Sequence, residues 1–86
     1  MIRRYIVKGH SMEPSFKEGD KILVSRLFLK LGKGDVIVFS EGGKNFIKRV
    51  TEVSGKHMAA EGDNKGHGKS HSITRKQVKG KFLTRY

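Results

Sequence analysis

Two short segments of this chain carry residue types that could act together on a carbonyl carbon. Ser11 lies in Gly9-His10-Ser11-Met12-Glu13-Pro14, and Lys48 lies in Phe46-Ile47-Lys48-Arg49-Val50. A serine hydroxyl is a poor nucleophile until a base takes its proton. A neutral lysine amine can be that base. An ordinary lysine titrates near about pH 10.4, so only roughly one in 2,500 is neutral at pH 7. The fold must therefore lower that value by about two to three units, and burial among apolar side chains does so because desolvation penalises the ammonium.

Lys48 has the surroundings for such a shift. In an extended strand alternate side chains share a face, so Phe46, Lys48 and Val50 point together while Arg49 points the other way. Most other lysines stand beside glycine or another charge, as solvated turn residues do. Ser11 follows Gly9-His10 at the end of a strand-like run. Pro14 fixes its own φ and restricts the residue before it, which stiffens the turn after the serine. A stiff turn presents both a hydroxyl and a backbone N–H, and the N–H of Ser11 is a candidate donor to an oxyanion. Met12 and Pro14, in the same turn, are assigned to the substrate side. His10 adjoins the serine, but adjacent strand residues face opposite ways, so Lys48 is the preferred base.

The elements that must hold these residues are strands. Helical periodicity is weak throughout, and short β-branched and apolar runs alternate with glycine turns, which predicts a mostly β domain. Strands are expected near Arg4–Val7, Lys21–Ser25, Val36–Phe39, Asn45–Val53, His57–Ala60 and Gly80–Arg85. Glu41-Gly42-Gly43-Lys44 and Ser54-Gly55 are expected hairpin turns. Gly-Asp occurs at Gly19-Asp20, Gly34-Asp35 and Gly62-Asp63, as turn punctuation. The segment from Gly62 to Lys69 reads as a loop. Ile73–Val78 fits either one helical turn or a short strand.

Eighty-six residues make one domain, spanning 1–86, with a thin core. The net charge of +11, from 19 Lys and Arg against 8 Asp and Glu, favours an anionic partner such as an acidic membrane surface or nucleic acid. Cysteine is absent, so no disulfide staples the fold. No apolar run approaches the length of about 18 residues that spans a membrane, and the chain reads as soluble or peripheral to one. The largest apolar patch is Leu27, Phe28, Leu29 and Leu31. Part of it is expected to remain exposed near the site, contacting an apolar substrate segment or lipid. Asp63, His67 and His71 recur at intervals of four, a metal-ligand spacing on a helix, but three glycines from Gly62 to Gly68 argue against a helix there, and no metal is expected.

Taken together and in order, several segments resemble the type I signal peptidases. Gly9-His10-Ser11-Met12-Glu13-Pro14, followed by Gly19-Asp20 and Ile22-Leu23-Val24, is similar to their nucleophile region. Gly34-Asp35-Val36-Ile37-Val38-Phe39 is similar to the next conserved segment, and Ile47-Lys48-Arg49-Val50 to the lysine segment. Glu61-Gly62-Asp63-Asn64 resembles the opening of the last segment, and Gly80-Lys81-Phe82-Leu83 the closing strand. The resemblance implies a small barrel-like or coiled-sheet peptidase fold, shared with the SOS-repressor autoproteases. It also implies a Ser–Lys dyad of Ser11 and Lys48, no cofactor, and a precursor protein bound through an extended leader with small residues before the scissile bond. The short form is most similar to the nickel-type superoxide dismutase maturation proteases.

The chain also departs from that pattern. The aspartate of the usual Asp-Ser-Arg segment is missing from Lys65–Arg75, and either Ser70 or Ser72 takes the place of the serine that orients the lysine. Gly9 stands where many bacterial members carry a second serine that assists the oxyanion hole. Two other readings remain beside the peptidase one. In a basic β domain that binds nucleic acid, Tyr5, Phe28, Phe46 and Tyr86 would stack on bases. The spread of these aromatics, one per strand, argues against it. The third reading is an inactive scaffold of the same fold.

Overall fold

Turns, several of them at glycines, separate short extended segments that pair edge to edge. In a computed structural model, described over residues 1–27, 30–66 and 69–86, seven strands form one antiparallel sheet. They are β1 (Ile2–Ile6), β2 (Lys21–Ser25), β3 (Val36–Glu41), β4 (Lys44–Ser54), β5 (His57–Glu61), β6 (His71–Thr74) and β7 (Val78–Arg85). The domain is mostly β, as its turn and run pattern predicts. β2 has the expected bounds, whereas β1 begins two residues earlier than expected. Ile73–Val78 turns out to hold both of its alternatives: the end of β6, then a 3-10 turn over Arg75–Gln77, then the start of β7. Gly42 and Gly43 make the two-residue β3–β4 hairpin with φ of 59° and 80°, a backbone that glycine adopts without penalty.

The strand order is β1-β2-β7-β3-β4-β5-β6, so the last strand in sequence lies near the middle of the sheet. Gly80 of β7 makes this close packing possible. A Cβ there would lie 2.6 Å from Val24 Cγ2 and 3.0 Å from the carbonyl oxygen of Ser25. The sheet is coiled. His71 at the start of β6 meets Glu41 of β3 at 2.7 Å, and Gln77 Nε2 donates to the carbonyl of Ser40 at 3.0 Å. These bonds draw the far edge back onto β3, a strand it does not pair with.

β3 is buried on both faces, and its alternate residues feed two cores. Val36 and Val38 join Val7, Met12, Phe16, Ile22 and Val24. Ile37 and Phe39 join Val50, Met58, Ala60, Ile73 and Val78. In the first core three members, Val7, Met12 and Phe16, come from the connection between β1 and β2, which has no regular structure. Each such side chain contributes roughly 1.5–3 kcal/mol on burial. The ends of the connection are also tied. Val7 N–H donates to Asp20 O at 2.9 Å and Gly19 N–H to Val7 O at 2.8 Å. The connection is thus a packed loop with joined ends, a fixed platform for the residues it carries.

Candidate active site

Ser11 sits on that platform. Its immediate neighbour Met12 is only 1% exposed and pins the turn to the first core. Phe16 N–H donates to Met12 O at 2.9 Å, closing the turn. Gly9, two residues before the serine, has φ of 79°, in the left-handed region where a side chain is strained, and its N–H donates to Glu18 Oε2 at 3.1 Å. That backbone explains why glycine stands at this position. The N–H of Ser11 itself has no acceptor among the described residues.

Lys48 arrives from the other side of the sheet. In the β3–β4 register it lies opposite Ile37, which is fully buried, and on its own strand it is flanked two residues away by Phe46 and by buried Val50. Lys48 is 6% exposed, the only charged residue of the described chain that is buried. Its Nζ donates to Ser11 Oγ at 2.8 Å. No carboxylate among the described residues pairs with it. Burial therefore acts unopposed and lowers its pKa below that of an ordinary lysine.

The next residue on the strand shows the contrast. Arg49 is held by Asp63 through two parallel bonds, Nε to Oδ1 and Nη2 to Oδ2, each 2.9 Å. Its Nη1 donates to the carbonyl of Gly34 at 2.7 Å. The hydrogen bonds from Arg49, and after them one from Ser15 on the nucleophile loop, push the Asp63 carboxyl below its usual range. Asp63 thus links the nucleophile loop to β4. Asn64 adds two further links: its N–H donates to Ser11 O at 2.8 Å and its Nδ2 to His10 O at 3.0 Å. Gly62 lies so close that a Cβ on it would come within 2.4 Å of Ser11 O. Sequence reasoning read Gly62-Asp63 as turn punctuation and Glu61-Gly62-Asp63-Asn64 as the opening of the last resembling segment, and gave these residues no part in holding the Ser11 loop. The available signal was a third Gly-Asp pair standing where a strand ends.

Ser11 and Lys48 lie at one end of a cleft of about 710 Å³, walled by β1 with Val7 and Lys8 on one side and by Lys44–Lys48 on the other, over a floor of Ile22 and Val38. Several expected site residues lie elsewhere. Met12 does not face substrate, because its side chain fills the first core. Pro14 is exposed but outside the cleft, on the far side of the turn. Leu27 is 79% exposed and also outside the cleft, while Leu31 packs against the second core. Phe28 and Leu29 lie outside the described residues. Neither Ser70 nor Ser72 hydrogen-bonds Lys48. Ser70 is exposed, and Ser72 is on β6 opposite Ala59, with β5 between it and β4. Of the spaced acid and histidines, His71 is engaged by Glu41, Asp63 by Arg49, and His67 is outside the described residues. His10 points to Glu13, 2.6 Å away, which raises its pKa.

The family model for signal peptidase, peptidase S26, matches residues 1–82. Signal peptidase IB of Staphylococcus aureus is 33% identical over 67 residues, which cover 73% of this chain and 35% of that protein. Signal peptidase I of Bacillus caldolyticus is 33% identical over 63 residues, covering 69% of this chain and 35% of its own length. The chain thus spans about a third of the length of the curated relatives it matches. With a match across nearly all of its residues, the chain belongs to the signal peptidase, peptidase S26, family.

Proposed function

We propose that this chain is a serine endopeptidase that uses a Ser11–Lys48 dyad to remove a leader or signal peptide from precursor proteins. One observation carries the reading: a buried lysine with no carboxylate partner lies 2.8 Å from a serine hydroxyl at the end of a cleft. Neutral Lys48 takes the Ser11 proton as Oγ attacks the scissile carbonyl carbon. The tetrahedral oxyanion that forms accepts from the unpaired Ser11 N–H. The ammonium then gives its proton to the departing amine, leaving an acyl-serine. Water, deprotonated by the same lysine, attacks that ester and frees Ser11. No cofactor enters any step. Packing between Phe46, Ile37 and Val50 orients the lysine.

The walls suit an extended chain. β1 is an outer strand, and β5 pairs with β4 only from Arg49 onward, so Lys44–Lys48 has an open edge. A leader laid between them gains backbone hydrogen bonds from strand edges, the usual means of holding an extended peptide. Small residues before the scissile bond follow the family resemblance. Signal-peptide-like substrates should be cut by the wild-type protein. Ser11→Ala should lower the rate at least about a thousandfold with an unchanged fold. Because only the neutral amine is active, the rate should rise with pH through the lowered pKa of Lys48, giving an acidic limb below about 10.4. Equal turnover in Ser11→Ala would remove the dyad from the mechanism.

A further inference from the structure

The cleft walls carry a charge pattern that the dyad does not need. With every strand pair antiparallel, β1 and β4 run in the same direction, and both lead toward the dyad. Away from that end the rim carries Arg4 on β1 and Lys44 at the start of β4, with Lys8 nearer Ser11, all exposed. Among the described residues no aspartate or glutamate side chain lines the cleft. The nearest acids are committed elsewhere. Glu41, opposite Lys44 in register, holds His71 at 2.7 Å, and Glu18 accepts from Gly9 N–H. Lys8 and Lys44 have no ion-pair partner among the described residues. Arg4 is braced in place, with its guanidinium 5.6 Å from the centre of the Tyr86 ring, which also lines the cleft.

We propose that this cleft selects extended peptides bearing acidic side chains about four residues from the bond presented to Ser11, a specificity that rests on the peptidase reading above. The distance follows from strand geometry. Lys44 precedes Lys48 by four residues, about 13 Å at a rise of roughly 3.3 Å per residue, and a peptide running alongside has the same rise. A glutamate at that position meets Lys44 from one wall and Arg4 from the other. Isolated exposed pairs are weak, so the gain comes from two or three cations acting on one segment.

The test uses a peptide with small residues around the scissile bond and either glutamate or glutamine at the fourth and fifth positions, in separate peptides for each side of the bond. On one side the glutamate form should be cut about three- to tenfold faster in kcat/KM, with the ratio shrinking at high salt. Binding of the same peptides to Ser11→Ala, read by fluorescence anisotropy, should show the same ratio without turnover. The double variant Arg4→Gln, Lys44→Gln should bring the ratio toward one. Lys56→Gln with Lys76→Gln, which removes the same charge from a separate hollow, should leave it intact. A ratio near one on both sides in the wild type overturns the proposal. So does equal loss in both double variants, since net charge alone would then be responsible. A preference seen in binding but with no peptide cut supports the acidic specificity and defeats the peptidase reading. A single-stranded oligonucleotide that binds more tightly than the glutamate peptide overturns the choice of occupant.

Discussion

The two sides of the sheet build their cores by different means, and the Lys48–Ser11 hydrogen bond joins one residue from each. On the β4–β5–β6 side the core is made from strand residues, Val50, Met58, Ala60 and Ile73, with Lys48 set among them by register. On the β1–β2–β7 side three members of the core come from a loop, and Ser11 rides on that loop. Lys48 is therefore placed by a hydrogen-bonded ladder. Ser11 is placed by side-chain anchors, above all Met12, and by the Gly62–Asn64 segment that backs the loop from across the molecule. A ladder tolerates the loss of one side chain without changing register, whereas a loop with few anchors does not.

The largest effect should come from separating chemistry from packing on the strand side. Lys48→Met keeps a long unbranched side chain and removes the buried amine. The expected result is a loss of about 10²- to 10⁴-fold in kcat/KM, the usual contribution of a general base. Stability should be unchanged or higher, since an uncompensated buried charge is removed. Substantial activity in this variant would leave Ser11 to another base, with His10 next in line.

A smaller effect should divide the two sides. Met12→Ala and Met58→Ala should each cost about 2–5 kcal/mol in denaturant unfolding, because each empties a buried site. Activity per folded molecule should fall only in Met12→Ala, where the serine loses its anchor. An equal fall in Met58→Ala would show that the strand side is as yielding as the loop.

The smallest effect concerns the link between the sides. Asp63 is held below its ordinary carboxylate pKa by Arg49 and then Ser15. Its charged form thus stabilises the fold above the unfolded-state value of about 3.9, and that contribution disappears as pH falls through the lower, folded-state value. Asp63→Asn should cost about 1 kcal/mol at neutral pH, a figure reduced because Arg49 is partly exposed. The gap between wild type and variant should close as pH drops through that range. A gap that stays constant down to strong acid would mean that Asp63 acts through shape and not charge.

Ser11 and Lys48, which the structure brings within 2.8 Å, could be singled out in the sequence because each is announced locally: Lys48 by apolar neighbours at a spacing of two, Ser11 by a stiff turn at a strand end. The hairpins at Gly42-Gly43 and Gly55 were legible for the same reason, since positive φ is a local demand. What was not legible depends on which surfaces meet. Met12 beside a nucleophile has the composition of a substrate contact and of a core anchor alike, and only the placement of the loop over Ile22 and Val24 decides for the core. The Leu27–Leu31 run has one periodicity but two fates, with Leu27 in solvent and Leu31 against the second core. The serine assigned to orient Lys48 failed because β6 pairs with β5, a register that no local signal in Ser70–Ile73 encodes. Arg49 and Asp63 lie 14 residues apart, and nothing short of the β4–β5 pairing reveals that they face one another.

The position of β7 carries a consequence for the order of synthesis. It is the only strand that pairs with both β2 and β3, so within the sheet it joins the Ser11 side to the Lys48 side, beside the links that Asp63 and Asn64 make outside it. A nascent chain that has emerged only as far as the β6 strand already holds Ser11, Lys48 and every turn between them. It still lacks the seam that brings the hydroxyl to the amine. Ser11 and Lys48 are thus held across from one another in full only once β7 has paired with both strands.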